Sequence, residues 1–341
     1  MTIQDQEAPE ILRVEGMVKH FPITKGAILK REIGSVKAVS DVSLTVNAGE
    51  TIGLVGESGC GKSTAGRTML KLLEPTAGKI TFEGRDITGL SKRQMVPLRK
   101  QMQMIFQDPY SSLNPRHTVG GIIAAPYDVQ GIKPPGGVKK AVQETMERVG
   151  LNPEHYNRYP HEFSGGQRQR IGVARAIALK PKLIVCDEPV SALDVSIQAQ
   201  VINLLEDLQQ QLGLTFLMIS HDLAVVHHIA DTVAVMYLGG IVERSAAADL
   251  YREPLHPYTL ALLSAVPVPD PVVEDRRRRT VLQGDLPSPA NPPSGCRFRT
   301  RCPYATDLCA AEQPVLRELR PGHDVACHYA GDLPEPRPSR S

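Results

Sequence analysis

One glycine-rich segment carries the most specific chemical signal in the chain. It fits the pattern GxxxxGK[ST] and consists of Gly56, Glu57, Ser58, Gly59, Cys60, Gly61, Lys62, Ser63 and Thr64. Glycines let a backbone curl so that several N–H groups point at phosphates, and a helix N-terminus adds partial positive charge. Lys62 is expected to reach the β- and γ-phosphates of a nucleotide, and the Ser63 hydroxyl to bind Mg²⁺. Glycine-rich turns before helices are common, so the prediction depends on the lysine, the hydroxyl and the preceding strand together.

A second group of residues, with side chains that could bind a metal ion or transfer a proton, follows an apolar run. Leu183 to Cys186 reads as a buried strand, and two carboxylates, Asp187 and Glu188, follow it. Ligands of parallel sheets bind beyond the carboxyl ends of the strands. Asp187 is therefore expected near Mg²⁺ as the partner of Ser63, and Glu188 is expected to orient or deprotonate an attacking water. The alternative is that the acidic pair only caps the next helix.

The elements that must position these groups alternate along the chain. Residues 51–55, 183–186, 215–220 and 232–236 are apolar runs that predict strands, and helical stretches separate several of them. Residues 11–18 and 42–46 alternate as half-buried strands do, and a helix is predicted from Lys62 to about Leu73. From about 108 to 175 the pattern becomes helical, with glycine and proline interruptions at 115, 120–121 and 134–137. An α/β fold with a mainly parallel sheet is expected.

Composition limits the classes of function. The chain has 341 residues and a formal net charge of +2, with 41% hydrophobic and 22% charged residues. This balance is ordinary for a globular protein and does not point to nucleic acid as a partner. No apolar stretch approaches the roughly 20 residues that span a bilayer, and the N-terminus is polar and acidic. A cytoplasmic location is expected, with any membrane role exerted through a partner.

Composition also predicts the domain organisation. We expect a disordered N-terminus at 1–9, one large domain at 10–266 with a helical subdomain at about 108–175, a proline-rich linker at 267–294, a cysteine-rich module at 295–330, and a disordered tail at 331–341. Four of the six cysteines fall in that module: Cys296, Cys302, Cys309 and Cys327. In a reducing compartment such a cluster favours a metal site over disulfides. Zinc, a [4Fe–4S] cluster and simple reduced thiols are the alternatives; CxxC pairs, which zinc ribbons favour, are missing.

Taken in order, these motifs resemble the ATP-binding-cassette superfamily over about residues 10–330, and further segments match it. Ser164, Gly165, Gly166 and Gln167 look like the family signature, although Phe163 stands where leucine is usual. Gln107 resembles the glutamine that approaches Mg²⁺ and the water, and 191–194 resembles the loop, ending at Asp194, that touches a partner's site. His221 resembles the histidine at the γ-phosphate. Phe21 lies where the family stacks an aromatic ring on adenine, beside an insertion at 24–34. A structural histidine and a core or loop phenylalanine are the alternatives for the last two.

The resemblance has several implications. It implies a RecA-like core with an N-terminal antiparallel β subdomain and an inserted helical subdomain, and a head-to-tail pair of cassettes in which one signature closes over the other subunit's ATP. Segments such as 107–116, 191–205 and 255–267 resemble ATPase subunits of oligopeptide, dipeptide and nickel importers. That likeness implies a sister ATPase in a heterodimer, two permease subunits at the cytoplasmic face of the membrane, an extracellular solute-binding protein, and an iron–sulfur cluster on the four cysteines. Two other classes compete with this one. They are a soluble cassette ATPase acting on DNA ends or ribosomes, and a regulator without ATPase activity.

Overall fold

A computed structural model describes residues 8–25, 31–108, 112–266, 282 and 284–334 of the chain. These residues form two compact units. Of these residues, the first unit comprises 8–13, 45–51, 81–108 and 112–220, and the second comprises 14–25, 31–44, 52–80, 221–266, 282 and 284–334. The predicted disordered termini and the predicted linker lie largely outside the described residues, as does the middle of the insertion at 24–34. The domain boundaries given above therefore stay predictions.

Twelve strands occur among the described residues: β1 Glu10–Lys25, β2 Arg31–Asn47, β3 Thr51–Val55, β4 Ala77–Phe82, β5 Arg85–Asp86, β6 Met102–Ile105, β7 Leu183–Asp187, β8 Thr215–Ser220, β9 Thr232–Tyr237, β10 Gly240–Ala246, β11 Arg317–Arg320 and β12 His323–Val325.

The same residues contain these α-helices: α1 Lys62–Met69, α2 Lys92–Arg99, α3 Val119–Gln130, α4 Val138–Arg148, α5 Gly165–Ile177, α6 Val195–Leu212, α7 Leu223–Ile229, α8 Ala247–Arg252, α9 Pro257–Ala265 and α10 Asp307–Ala311. Short 3₁₀ turns occupy Pro153–Asn157 and Pro160–Glu162.

In the first unit, three short apolar strands form a parallel ladder. β7 pairs with β6 on one side and β8 on the other, with Leu183 opposite both Met102 and Thr215. Every residue of β7 and β8 is buried, as expected for strands covered on both faces. The parallel register brings the carboxyl end of β7, and with it Asp187, to one edge of the ladder. The predicted apolar strands are confirmed here.

The helical part of the first unit begins with α3. Thr118 caps it by accepting the N–H of Gly121 at 3.2 Å, and Gly131 ends it in a left-handed conformation. Gly120, expected to interrupt the helix, lies in its first turn instead. A side chain there would place Cβ 2.4 Å from ring atoms of Tyr156. The glycine thus permits close packing between α3 and the turn at Pro153–Asn157.

In the second unit, β3 pairs in parallel with β9, from Ile52 opposite Thr232 to Val55 opposite Val235. β9, β10, β12 and β11 continue outward as antiparallel neighbours. The sheet is therefore mixed rather than mainly parallel in this unit. β1, β2 and β4 form a separate sheet in the order β2-β1-β4, consistent with the expected N-terminal β subdomain.

The segment after residue 295 belongs to the same packed unit. β12 extends the sheet at the edge of β10, and Phe298 packs against Tyr237 and Tyr258, with ring centroids 5.2 and 5.4 Å away. All three rings are almost fully buried. The expectation of a cysteine-rich module at 295–330, separate from the large domain, is therefore not confirmed. No helix in the part of the chain that the structure describes is long and apolar enough to cross a membrane.

Candidate functional site

The loop after β3 has a backbone that only glycine can supply at two points. Gly56 has φ of 151° and Gly61 has φ of 108°. A Cβ at Gly56 would lie 2.2 Å from the carbonyl oxygen of Met236, and one at Gly61 would lie 2.1 Å from that of Ala38. Both obstacles are backbone atoms, so the loop cannot accept larger residues without moving a neighbouring strand. Ser58 and Gly59 are exposed between these two fixed points.

The helix that the loop opens begins at Lys62, as predicted, but it ends at Met69 rather than near Leu73. Lys71 is left-handed, with φ of 54°, and the N–H groups of both Leu72 and Leu73 return to the carbonyl oxygen of Arg67. These bonds close the last turn early. Ser63 and Thr64 lie half-buried in the first turn of the helix, at the end where the helix dipole is positive.

Lys62 is folded back onto the loop and is 4% exposed. Its ammonium donates to the carbonyl oxygens of Gly56 at 2.7 Å and of Glu57 at 2.9 Å. Cys60 is buried beside it, burial raises the pKa of its thiol, and its carbonyl oxygen accepts the N–H of Gly239 at 2.8 Å. The loop therefore holds its own cation in place by hydrogen bonds and can present that charge to an anion.

Glu57 has partners that sequence reasoning did not find. Its carboxylate forms a two-bond pair with the guanidinium of Arg301, at 2.6 Å from Nη1 to Oε2 and 3.0 Å from Nη2 to Oε1. Its backbone N–H donates to the hydroxyl of Tyr258 at 2.8 Å. Spacing gives no signal for either contact. The only hint in the sequence is that Arg301 directly precedes Cys302 in the segment singled out for its cysteines.

The acidic pair lies at the end of β7 in the first unit. Asp187 is 0% exposed, and Glu188 follows it with φ of 48° and donates its backbone N–H to the carbonyl oxygen of Ile219 at 2.9 Å. Gln107, two residues after β6, donates its side-chain amide to Glu188 Oε2 at 2.8 Å. The structure thus joins two predicted site residues that are far apart in sequence.

Further predicted residues of the first unit lie at helix starts. Ser164 precedes α5 and forms a capping box: its hydroxyl accepts the N–H of Gln167 at 3.3 Å, and the Gln167 side chain accepts the N–H of Ser164 at 3.0 Å. Gly165 and Gly166 form the first turn, and a Cβ at Gly166 would lie 2.5 Å from Ile197. Asp194 is the exposed N-cap residue of α6.

Two predicted residues of the second unit lie in other elements. Phe21 is part of β1, is partly exposed, and has the ammonium of Lys19 4.8 Å from its ring centroid. A partly exposed ring in a strand is not a core residue. His221 is exposed and lies two residues before α7.

The cysteine prediction is wrong. Among the described residues, no group of three or more histidine, cysteine or acidic side chains could hold a metal ion. Neither the [4Fe–4S] cluster nor its zinc alternative is therefore supported. All four cysteines, Cys296, Cys302, Cys309 and Cys327, line a small cavity of about 20 Å³ together with aromatic side chains, and all are free thiols. Burial raises the pKa of Cys296 to about 11 and that of Cys302 to about 12, so both thiols are neutral at pH 7.

Comparison with known proteins assigns a class to this fold and loop. The family described as "ABC transporter" matches residues 39–191. A solved structure of cbiO1 from Clostridium perfringens, described as part of the ABC transporter complex cbiONQ, is 25% identical, with a TM-score of 0.61 over 72% of this chain and 92% of its own. The cassette MJ0796, in a dimeric post-hydrolysis state with ADP and Pi, has the same fold at 24% identity and a TM-score of 0.61, over 70% of this chain and 99% of its own.

A narrower group is defined by the C-terminal part and by full-length relatives. The family described as "Oligopeptide/dipeptide transporter, C-terminal region" matches residues 242–309. The oligopeptide transport ATP-binding protein AppF of Bacillus subtilis is 55% identical over 96% of this chain and 99% of its own. A peptide import ATP-binding protein of Brucella ovis is 57% identical over 93% and 97%. The chain therefore belongs to the ABC transporter family, as an ABC-type ATPase of the oligopeptide/dipeptide transporter group.

Proposed function

We propose that this chain is the ATP-hydrolysing subunit of a peptide importer. The observation that carries the proposal is the 55% identity with an oligopeptide transport ATP-binding protein over nearly the whole of both chains. Hydrolysis would drive two membrane permease subunits, with the chain bound peripherally at the cytoplasmic face. A sister ATPase would complete the nucleotide site as a heterodimer, and an extracellular binding protein would deliver the peptide.

The assignment of roles at the phosphates begins with the loop at 56–64. Its curled backbone and the ammonium of Lys62 would bind the β- and γ-phosphates, and the positive end of α1 would add to the attraction. Ser63 and Asp187 offer a hydroxyl and a buried carboxylate, which are the hard oxygen ligands that Mg²⁺ prefers. When bound, Mg²⁺ neutralises charge on the transferring phosphoryl group. Phe21 would stack on the adenine.

The hydrolytic step is assigned to Glu188. Its carboxylate would accept a proton from the attacking water or orient that water, and Gln107 would hold the carboxylate in position through the 2.8 Å hydrogen bond. His221 would contact the γ-phosphate. The signature residues Ser164, Gly165, Gly166 and Gln167, with Asp194, would act on the nucleotide of the sister subunit, where the N-terminus of α5 offers its partial positive charge.

The phosphate-loop assignment is tested by Lys62→Ala, with exposed Lys92→Ala as the matched control. Equilibrium binding of ATP to the purified full chain should weaken by at least about tenfold for Lys62→Ala, because one charge-assisted contact to phosphate is lost. Lys92→Ala should bind as the unmodified chain does. Equal ATP affinity in both variants would refute the assignment.

The role of Glu188 is tested by Glu188→Gln, with exposed Glu147→Gln on α4 as the control. Positioned proton transfer contributes about 10²- to 10⁴-fold to a rate, so ATP turnover should fall by at least about 100-fold while ATP binding is retained. Unchanged turnover would remove Glu188 from the reaction.

The importer assignment is tested by purification of the tagged full chain from membranes of its own cells in mild detergent. The expected result is co-purification with two integral membrane subunits and a second ATPase of the same family, and ATP turnover stimulated by peptide-loaded binding protein. Recovery free of membrane subunits, or with DNA or ribosomes, would contradict it. A homodimer in the complex would overturn the heterodimer alone.

A further inference from the structure

We propose that Arg301 is a positioning residue for ATP that acts through Glu57: it holds that carboxylate in an ion pair and cancels its charge in the phosphate-binding loop. The proposal rests on the assignment of residues 56–64 as that loop. It gives the oligopeptide-type C-terminal region a direct part in nucleotide affinity, because Arg301 lies within the matched residues 242–309.

The contact has the geometry of a specific recognition rather than of a chance surface pair. Two parallel N–H···O bonds join the guanidinium to the carboxylate, at 2.6 and 3.0 Å. The Arg301 side chain is 7% exposed and that of Glu57 is 28% exposed. A planar two-bond fork fixes orientation as well as distance, which a lysine cannot do.

The backbone of the same loop residue is held by the same part of the chain. The Glu57 N–H donates to the hydroxyl of Tyr258, whose ring packs 4.7 Å from Tyr237 and 5.4 Å from Phe298, centroid to centroid. Residue 57 is therefore fixed at its main chain and at its side chain by residues 201 and 244 positions later.

The negative charge of Glu57 affects how the loop binds an anionic ligand. Glu57 is the second residue of a loop whose expected ligand is a polyanion, and an unpaired carboxylate there would repel the phosphates. Arg301 cancels that charge in a site that water screens only in part. A buried ion pair is weak support for stability, since apolar residues of similar size stabilise as well or better. The ion pair between Glu57 and Arg301 is thus better explained by an effect on ligand binding than by an effect on the stability of the fold.

Because the carboxylate of Glu57 repels phosphate and the guanidinium of Arg301 attracts it, the two single substitutions should change ATP affinity in opposite directions. Arg301→Met leaves Glu57 unpaired, so the affinity for ATP should fall about tenfold, which corresponds to one unit charge acting at short range in a partly screened site. Glu57→Gln leaves Arg301 unpaired, so ATP should bind equally well or more tightly. The double variant should return to within about threefold of the unmodified chain. A purely structural role would make both single substitutions weaken binding.

The experiment is calorimetric titration of the full chain with ATP, ADP and AMP in the presence of Mg²⁺. The loss in Arg301→Met should be greatest for ATP, smaller for ADP and near zero for AMP. Arg301→Lys, which keeps the charge, should retain ATP affinity within about threefold and also covers the case that Arg301→Met does not fold. Arg320→Met is the matched control, because Arg320 makes a similar two-bond pair with Glu253 in the same unit but is exposed.

The possible results distinguish an error about the role of Arg301 from an error in the assignment of residues 56–64 as the phosphate-binding loop. Equal losses for ATP and AMP, losses of the same sign in Arg301→Met and Glu57→Gln, or no change in Arg301→Met would each overturn the role of Arg301. If Lys62→Ala also bound ATP normally in the same assay, the loop assignment would have failed. If Lys62→Ala lost affinity as expected, only the inference about Arg301 would be refuted.

Discussion

Glu243 offers the sharpest test of how the second unit is held together. It lies in β10, is 0% exposed, and its carboxylate accepts three hydrogen bonds. Oε1 accepts the N–H of Leu255 at 2.6 Å and faces Nε2 of His323 at 2.7 Å, and Oε2 accepts the N–H of His256 at 3.1 Å. One side chain thus joins β10, the start of α9 and β12.

Glu243→Ala should destabilise the chain by about 3–6 kcal/mol. The substitution leaves two backbone N–H groups and one imidazole without an acceptor, and each buried group left unsatisfied costs about 1–3 kcal/mol; water entering the space offsets the upper part of that sum. Glu243→Gln keeps one acceptor oxygen and should cost about 1–2 kcal/mol. Against a total stability of about 5–15 kcal/mol, the alanine variant loses a large fraction.

The assay is urea unfolding of the full chain, followed by far-UV circular dichroism. Glu318→Ala is the matched control, since Glu318 also accepts a backbone N–H, that of Gly322 at 2.8 Å, but is exposed. Its loss should stay within about 0.5 kcal/mol. If Glu243→Ala unfolded within about 1 kcal/mol of the unmodified chain, the three hydrogen bonds would contribute little to stability and the reasoning would fail.

Three further predictions follow from burial and packing. Burial lowers the pKa of His256 from 6.5 to about 4. As the pH falls, this histidine is protonated in the unfolded chain before it is protonated in the folded chain. The free energy of unfolding should therefore be largest at neutral pH and fall by about 3 kcal/mol between pH 6.5 and 4. Urea midpoints at pH 7.5 and 4.5 measure this loss, which His256→Asn should reduce. Gly120→Ala should cost about 1–3 kcal/mol by thermal unfolding, because its Cβ would meet the Tyr156 ring, and Tyr156→Ala in the same chain should lower that cost. Because burial raises the pKa of Cys302 to about 12, iodoacetamide at pH 8 should alkylate it at least about 100-fold faster after unfolding in urea, as mass spectrometry would show; equal rates would contradict its burial.

Sequence reasoning succeeded where the determinants are local. The strand before Gly56, the start of the helix after it and the apolar run ending at Asp187 each follow from a few adjacent residues, and the structure contains them. The early end of α1 was missed because the left-handed conformation of Lys71 has no residue signature of the kind that glycine provides. The close packing at Gly120 depends on Tyr156, and a one-dimensional pattern cannot show that contact.

The predictions that were wrong or missing depend on contacts between residues far apart in sequence. Counting four cysteines and their spacings predicts a metal site only if the sulfur atoms converge as ligands, and spacing does not fix that geometry. Likewise, nothing near Glu57 in the sequence indicates that Arg301 or Tyr258 will hold it. The roles assigned to residues at the nucleotide stay predictions, since they follow from family resemblance and from contacts such as that between Gln107 and Glu188.

The pairing of Glu57 with a residue 244 positions later also has a meaning for the order of synthesis. A ribosome that adds about 5–20 residues per second needs roughly 12–50 s to travel from one to the other. During that interval the phosphate loop exists on the nascent chain with its carboxylate uncompensated. A transcript broken before codon 301 would encode every cassette motif, yet its product would bear a negative charge at the phosphate loop that the complete chain neutralises.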